Sequence, residues 1–402
     1  MEQKRLVDRF RVADADQSEL EQLLLAHFGR SSGVSPSEVH YSHADGAEPA
    51  LVVTYDGDGV LVTIESGPAL RDQDVPEIEE KIERFLLTST GVAIGQTILF
   101  AHLPTTGHFK YRDVFQIAPV PPEAPRLDTV IGDHPLLLQY AFSSSEDFQV
   151  SSLRRSRVSR EIELLCVALT TSIWKSDGHM VRYHWVLHND ADPSKWKSEF
   201  RQGMYTYQGA SGLAPAFAGT TETPAITLTP QAAYYHSVGI SVGQVLDLPE
   251  DLDGLLDRFF KCPREDRDRF LRASFWFQHA QRVSSVSRSA SFNALVSAIE
   301  ALMPPAEAAS QCRTCNKALG KGPTARFTDF VERFAPDPAV SRQDRRKLYS
   351  LRSALSHGGS LLHSDRHSWM GGMTSKALDE WSDQRAMWQI VRVALVNWIR
   401  GH

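Results

Sequence analysis

An arginine and a histidine five positions apart, Arg352 and His357, are the residue types that metal-independent RNA cleavage requires. That reaction needs a base to activate the 2′-hydroxyl, an acid to protonate the leaving 5′-oxygen, and a fixed cation beside the transition-state phosphate. Histidine can act as base and as acid, and the forked, permanently charged guanidinium of arginine fits the third role. Residue types alone leave an equal alternative, a surface arginine near a histidine that serves only packing.

The segment Gln343–His357 predicts an amphipathic helix that carries this pair. At 100° per residue, Leu348, Leu351 and Leu355 fall within about 60° of one another and define a buried stripe. A polar flank continues round the helix from the edge of the stripe, in the order Arg352, Ser356, Tyr349, Ser353 and His357. The pattern predicts that the pair opens onto a groove against another helix or subunit, with the histidine at the negative end of the helix dipole.

Glu300 and a second arginine–histidine pair are weaker candidates on two other predicted helices. Glu300 lies on the helix Phe292–Met303, where it either pairs with a basic residue of the motif helix or is a solvated surface carboxylate. Arg272 and His279 share one face of the long helix Arg264–Arg282, and the alternative is a surface arginine with a core or rim histidine. We therefore expect Glu300 to support the motif and treat Arg272 with His279 as secondary candidates.

Two cysteines with the spacing Cys312-x-x-Cys315 form half of a structural zinc site. The other half is not evident, since His363 and His367 have a His-x3-His spacing and Cys262 is a further free thiol. A redox-active pair and two ordinary thiols are the alternatives. The proposed chemistry requires no cofactor, so a zinc ion here would only brace the loop.

Composition and charge limit the classes of protein to which the chain can belong. With 42% hydrophobic and 23% charged residues, the chain has enough apolar side chains to build cores. The net charge of −6 argues against broad, nonspecific coating of nucleic acid, although a ribonuclease groove needs only local basic charge. No run of 18 apolar residues and no apolar leader are present, so we expect a cytoplasmic protein with no membrane partner.

The length of 402 residues predicts two or three domains. Residues 1–118 have the patterns of a mixed α/β domain, and a proline-rich connector opens a mixed, strand-rich region over residues 119–247. From residue 248 to 402 the pattern is almost wholly helical and predicts a bundle of four or five helices. The predicted fold class is therefore α+β and multidomain, with an all-α C-terminal bundle.

Local patterns in the first segment predict two helices, a hairpin and a further strand pair. The helices are expected at Ser18–Phe28 and Val75–Leu87. The hairpin joins Leu51–Tyr55 to Val60–Ile64 through an Asp-Gly-Asp-Gly turn, and the strand pair is expected at Thr97–His102 and Tyr111–Ile117.

Five short motifs follow one another through residues 248–402. The order begins with Leu248-Pro-Glu-Asp, continues through Arg269-Phe-Leu-Arg-Ala-Ser-Phe-Trp, Ala298-Ile-Glu-Ala-Leu and Cys312-Arg-Thr-Cys, and ends with Tyr349-Ser-Leu-Arg-Ser-Ala-Leu-Ser-His-Gly. This order resembles the ApeA-like branch of the HEPN superfamily, and the resemblance does not extend to the first 247 residues.

The resemblance implies a catalytic role for Arg352 and His357. HEPN ribonucleases use an Arg-x4–6-His motif, and two copies face each other across a homodimer to form one RNA-cleaving cleft. Ser353 stands where many of these nucleases have Asn, Asp or His, so the resemblance implies its supporting role less strongly than the roles of Arg352 and His357. The resemblance also implies a toxin of prokaryotic antiviral defence that cuts cellular RNA such as tRNA, with an N-terminal region that responds to a phage-derived or cellular trigger.

Two other functions remain open from the sequence. In the first, the same bundle is a non-catalytic HEPN module that binds nucleotide or RNA, or only dimerises. In the second, histidines of the middle region serve a metal-dependent hydrolase. Cleavage of RNA separates the ribonuclease from the binding module, which would hold RNA without cutting it.

Overall fold

The structure is a computed structural model that describes residues 16–57, 59–120, 134–170, 173–174, 182–188, 192–195, 197–203, 224–236, 245–284, 286–305, 310–311, 318–319, 321–337, 341–366 and 375–402. The chain forms two compact units, one from Met1–Gly95 with Gln139–Arg160 and the other from Gln96–Leu138 with Glu161–His402. Both units are discontinuous in sequence. The three domains predicted from the sequence, residues 1–118, 119–247 and 248–402, are each continuous. That division into three domains stays a prediction.

The first unit combines helices with a four-stranded antiparallel meander. Helix α1 (Gln17–Phe28) precedes the strands β1 (Gly29–Ser35), β2 (Glu38–His43), β3 (Leu51–Tyr55) and β4 (Leu61–Ser66), which pair in sequence order. Helix α2 (Val75–Lys81) continues as a π-helical segment, Ile82–Leu87. The apolar faces of these elements share one buried core. The predicted helices and the predicted hairpin of this segment are confirmed.

Both ends of α1 follow from capping residues. The Asp16 carboxylate accepts the backbone N–H groups of Ser18 and Glu19, at 3.1 and 3.3 Å, so two unpaired donors of the first turn are satisfied. Gly29 ends the helix at φ +81°, a left-handed conformation in which glycine has no side-chain strain.

A five-stranded sheet follows, and it corrects one prediction. Its strands are β5 (Gly91–Ala101), β6 (Phe109–Tyr111), β7 (Phe115–Pro119), β8 (His134–Ser144) and β9 (Ile173–Trp174), in the spatial order β6-β7-β8-β5-β9. The predicted pairing of Thr97–His102 with Tyr111–Ile117 is wrong, because β8 lies between them. The second of these segments is instead a tight hairpin of β6 and β7, whose turn holds Arg112 at φ +47°.

The chain also contains several smaller elements before the C-terminal helices. They are α3 (Phe148–Leu169), β10 (Arg182–His188) paired with β11 (Lys197–Gly203), a 3-10 turn (Pro193–Lys195), β12 (Thr227–Thr229) paired in parallel with β13 (Asp247–Pro249), and α4 (Gln231–His236).

The C-terminal region is helical, as predicted. Its described residues form seven helices, where four or five were predicted. They are α5 (Leu252–Lys261), α6 (Arg264–Val283), α7 (Arg288–Leu302), α8 (Pro323–Phe334), α9 (Arg342–Ser356), α10 (His363–Arg366) and α11 (Ser375–Arg400). A short antiparallel pair, β14 (Ser310–Gln311) and β15 (Ala318–Leu319), lies between α7 and α8 in the sequence. The side chains of Phe259, Phe270, Phe277, Phe292 and Phe327 are fully buried in this region. The sequence did not predict the single-turn helix α10.

At the level of fold class, a mixed α/β N-terminal region with antiparallel sheets and a helical C-terminal region are therefore confirmed. Within the described part of the chain, every helix is too short or too polar to cross a membrane.

Candidate active site

The candidate site lies where polar faces of α7 and α9 meet. Most of α7 is buried, but Asn293, Ser297 and Glu300 are partly exposed and recur at the i, i+4, i+7 spacing that places them on one face. Helix α9 begins with a capping box, in which Ser341 and Asp344 each bond the other's backbone N–H. Leu348 and Leu355 of α9 are buried, so the predicted stripe holds its polar flank toward α7 and solvent.

Glu300 links two residues of the predicted motif. Its Oε1 accepts the hydroxyl of Tyr349 at 3.0 Å, and its Oε2 accepts Nη2 of Arg352, also at 3.0 Å. The side chains of Arg352 and Glu300 are 28% and 29% exposed, so the ion pair borders solvent. Of the two alternatives for Glu300, the structure shows the pairing with a basic residue of the motif helix.

Tyr349 holds the Glu300 carboxylate in place through its hydroxyl hydrogen bond. Its ring packs on Phe327 of α8 with 4.9 Å between centroids. Burial, together with the hydrogen bond to Glu300 and the charge of that carboxylate, raises the pKa of Tyr349, so the hydroxyl remains a donor to Glu300 at neutral pH. Among the described residues, Glu300 is the one hydrogen-bond partner of the Arg352 side chain, and Nε of Arg352 is buried, so the terminal N–H groups are those left for a bound anion.

His357 caps the C-terminus of α9 and is exposed. Its backbone N–H donates to the carbonyl of Ser353 at 3.2 Å, and Gly358 at φ +71° turns the chain away from the helix. The imidazole is therefore at the surface, where a phosphate can reach it. The exposed side chain of Ser353 has no hydrogen-bond partner within the described part of the chain.

Asn293 is a site residue that the sequence analysis missed. The Ser356 hydroxyl donates to its Oδ1 at 3.2 Å, so a second polar contact joins α7 to α9 one turn beyond Arg352. The sequence does contain a pattern that indicates this residue, because the polar residues Asn293, Ser297 and Glu300 recur on one face of an otherwise apolar helix.

The segment after His357 is anchored to the start of α7. The Asp365 carboxylate accepts the Ser287 hydroxyl at 2.8 Å and the backbone N–H groups of Arg288 and Ser289 at 2.9 and 2.8 Å. Asp365 therefore caps a helix that begins 77 positions earlier in the sequence. This contact fixes the chain leaving His357 against the helix that carries Asn293 and Glu300.

Arg272 and His279 lie on another surface, an exposed aromatic face of α6. The His279 ring stacks on Phe275 at 6.1 Å and meets Trp276 edge-on at 5.8 Å, and Arg272 is exposed. Among the described residues, no hydrogen bond joins this pair to the motif residues of α9. Its role as a secondary site stays a prediction.

The zinc prediction is untested by the fold, because Cys312, Cys315 and His367 lie outside the described residues. His363 is half-buried in α10, and burial raises the pKa of the half-buried Cys262 thiol. The part of the chain that the structure describes contains no cluster of three or more His, Cys, Asp or Glu side chains suited to a metal ion.

The arrangement offers a cation, a hydroxyl network and a titratable ring along one helix. Arg352 and His357 are about 7.5 Å apart in helical rise and leave the axis about 140° apart.

Comparison of the chain with protein-family models, with curated proteins and with solved structures gives no match. The function is therefore inferred from these residues.

Proposed function

We propose that residues 248–402 are a HEPN-type domain and that the chain is a metal-independent endoribonuclease acting through Arg352 and His357. The supporting observation is that Glu300 fixes the Arg352 guanidinium at the solvent border, while His357 is exposed at the end of the same helix. One helix thus carries a phosphate-binding cation and a proton carrier.

In the proposed reaction, the neutral His357 imidazole accepts the proton of an RNA 2′-hydroxyl. The 2′-oxygen then attacks the adjacent phosphorus, and the bond from phosphorus to the 5′-oxygen breaks as that oxygen receives a proton from imidazolium. The products are a 2′,3′-cyclic phosphate and a 5′-hydroxyl. Arg352 donates to the phosphate oxygens, whose charge grows in the transition state.

A homodimer supplies what one chain lacks. Because the two side chains leave α9 in different directions, a second copy of the helix across a two-fold axis can bring one protomer's Arg352 near its partner's histidine. Tyr349 and Glu300 hold the arginine, and Ser356 with Asn293 fixes the last turn of α9. The substrate is cellular RNA, with tRNA as one such target, and the N-terminal region responds to a phage-derived or cellular trigger.

A non-catalytic RNA-binding or dimerisation module is the second candidate. The observation that favours it is the imidazole of His357, which has no hydrogen-bond partner among the described residues to orient it. In such a module, Arg352 would bind phosphate and His357 would carry no proton.

Substrate chemistry tests the ribonuclease proposal. The full chain would be incubated, with EDTA, with an RNA oligonucleotide and with the same sequence carrying 2′-deoxyribose. We expect cleavage of the RNA alone, with 2′,3′-cyclic phosphate ends, because the 2′-oxygen is the nucleophile. Binding of both oligonucleotides without cleavage of either would favour the non-catalytic module.

A further inference from the structure

A cavity of about 270 Å³ lies beside the Arg352–Glu300 pair. Among the described residues, its walls are three prolines, Met303 and the ring of Tyr349, and its charged groups are Glu300 and Arg326. Flat, apolar walls of this kind suit the faces of a nucleobase. Because Glu300 both lines the cavity and bonds Arg352, an occupant would lie next to the proposed phosphate site.

The Glu300 carboxylate retains capacity for a ligand. Among the described residues, each of its oxygens accepts one hydrogen bond, from Tyr349 and from Arg352, whereas a carboxylate offers about four acceptor positions. Two positions therefore remain on a side chain that is 29% exposed. A ligand that presents two adjacent N–H donors would match them.

Arg326 adds a donor at the rim of the cavity. Its Nη2 donates to the backbone carbonyl of Pro304, which holds the guanidinium against the proline wall. A guanidinium has five N–H donors, so this contact leaves others for an acceptor on the ligand. The cavity thus presents a carboxylate and a guanidinium to the same occupant.

We propose that this cavity is a base subsite that prefers guanine in the RNA strand cut by Arg352 and His357, an inference that rests on the proposed function. Guanine has adjacent N1–H and N2–H donors for the Glu300 carboxylate, and its O6 accepts from Arg326. Adenine and cytosine place one amino donor beside a ring acceptor that a carboxylate repels. Uracil has a single N–H between two carbonyl oxygens.

Binding is measured without cleavage by using the full-length His357→Ala chain. It would be titrated by calorimetry with the 5′-monophosphates of guanosine, adenosine, cytidine and uridine. Guanosine monophosphate is expected to bind about tenfold tighter than the other three, or more. Adding Met303→Trp fills the cavity and adding Arg326→Met removes the O6 donor, so each is expected to abolish the preference. Val286→Trp, at a position 85% exposed and outside the cavity, is the matched control and should retain it.

The outcomes separate the subsite from the ribonuclease. Equal affinity for the four nucleotides, or a preference that survives both cavity variants, overturns the subsite. RNA cleavage by the wild type without enrichment of guanine beside the cut also overturns the subsite and leaves the ribonuclease standing. Guanine-selective binding by a chain that cuts no RNA supports the subsite and overturns the ribonuclease.

Discussion

Replacing Arg352 by alanine is expected to slow RNA cleavage by about 10²–10³-fold, because the transition-state phosphate loses its fixed cation. Arg352→Lys should recover only part of the rate, since an ammonium keeps the charge but lacks the planar fork. Initial rates measured with the full chain in excess over a labelled RNA check both variants.

Arg346→Ala is the matched control for this prediction, because Arg346 is an exposed arginine on the same helix. We expect it to leave the rate unchanged. A partly exposed ion pair contributes about 0–1 kcal/mol to folding, so Arg352→Ala should keep its fold and its circular dichroism spectrum. Equal rates for Arg352→Ala, Arg346→Ala and the wild type would remove arginine from the mechanism.

Asp365→Ala is expected to lower the free energy of unfolding at neutral pH by about 1–3 kcal/mol, because three donors at the start of α7 lose their acceptor. Burial raises the pKa of Asp365, but hydrogen bonds from Ser289, Arg288 and Ser287 outweigh it, and the net pKa lies below the ordinary value of 3.8. A carboxylate with a lowered folded-state pKa stabilises the protein above its unfolded pKa and loses that effect as pH falls through the folded one.

The wild type should therefore lose this contribution below about pH 4, and the difference from Asp365→Ala should shrink with further acidification. Urea denaturation across the acidic range measures both curves. The exposed Asp379 of α11 provides the control, and Asp379→Ala is expected to change stability by less than about 0.5 kcal/mol. A constant difference between the wild type and Asp365→Ala at every pH would contradict the cap.

Periodicity made the central helix of the site predictable. The spacing of Leu348, Leu351 and Leu355 predicted which face of α9 is buried, and in the structure Leu348 and Leu355 are buried while Leu351 is half-buried. Helical periodicity placed Glu300 and Arg352 at the edges of apolar faces, but it left an ion pair as one of two alternatives for Glu300, and the structure shows that pair.

Non-local contacts were not predictable in this way. Strand β8 enters the sheet between β7 and β5, and neither propensity nor alternation encodes which strands become neighbours. The cap of α7 by Asp365 joins residues 77 positions apart, so no local capping pattern reveals it. The hairpin turn at Arg112 has a positive φ at a residue type that rarely adopts one. Residue types alone therefore did not predict a turn at this position.

Loss of cleavage in His357→Ala is the most direct test of the claim that α9 carries the chemistry. Purified wild type and His357→Ala, both full length, would be incubated with total cellular RNA and EDTA, and the 3′ ends of the products sequenced. The account predicts cyclic-phosphate ends from the wild type alone, with intact RNA after incubation with the variant. Equal cleavage by both proteins would contradict it, because the proton carrier would then lie elsewhere.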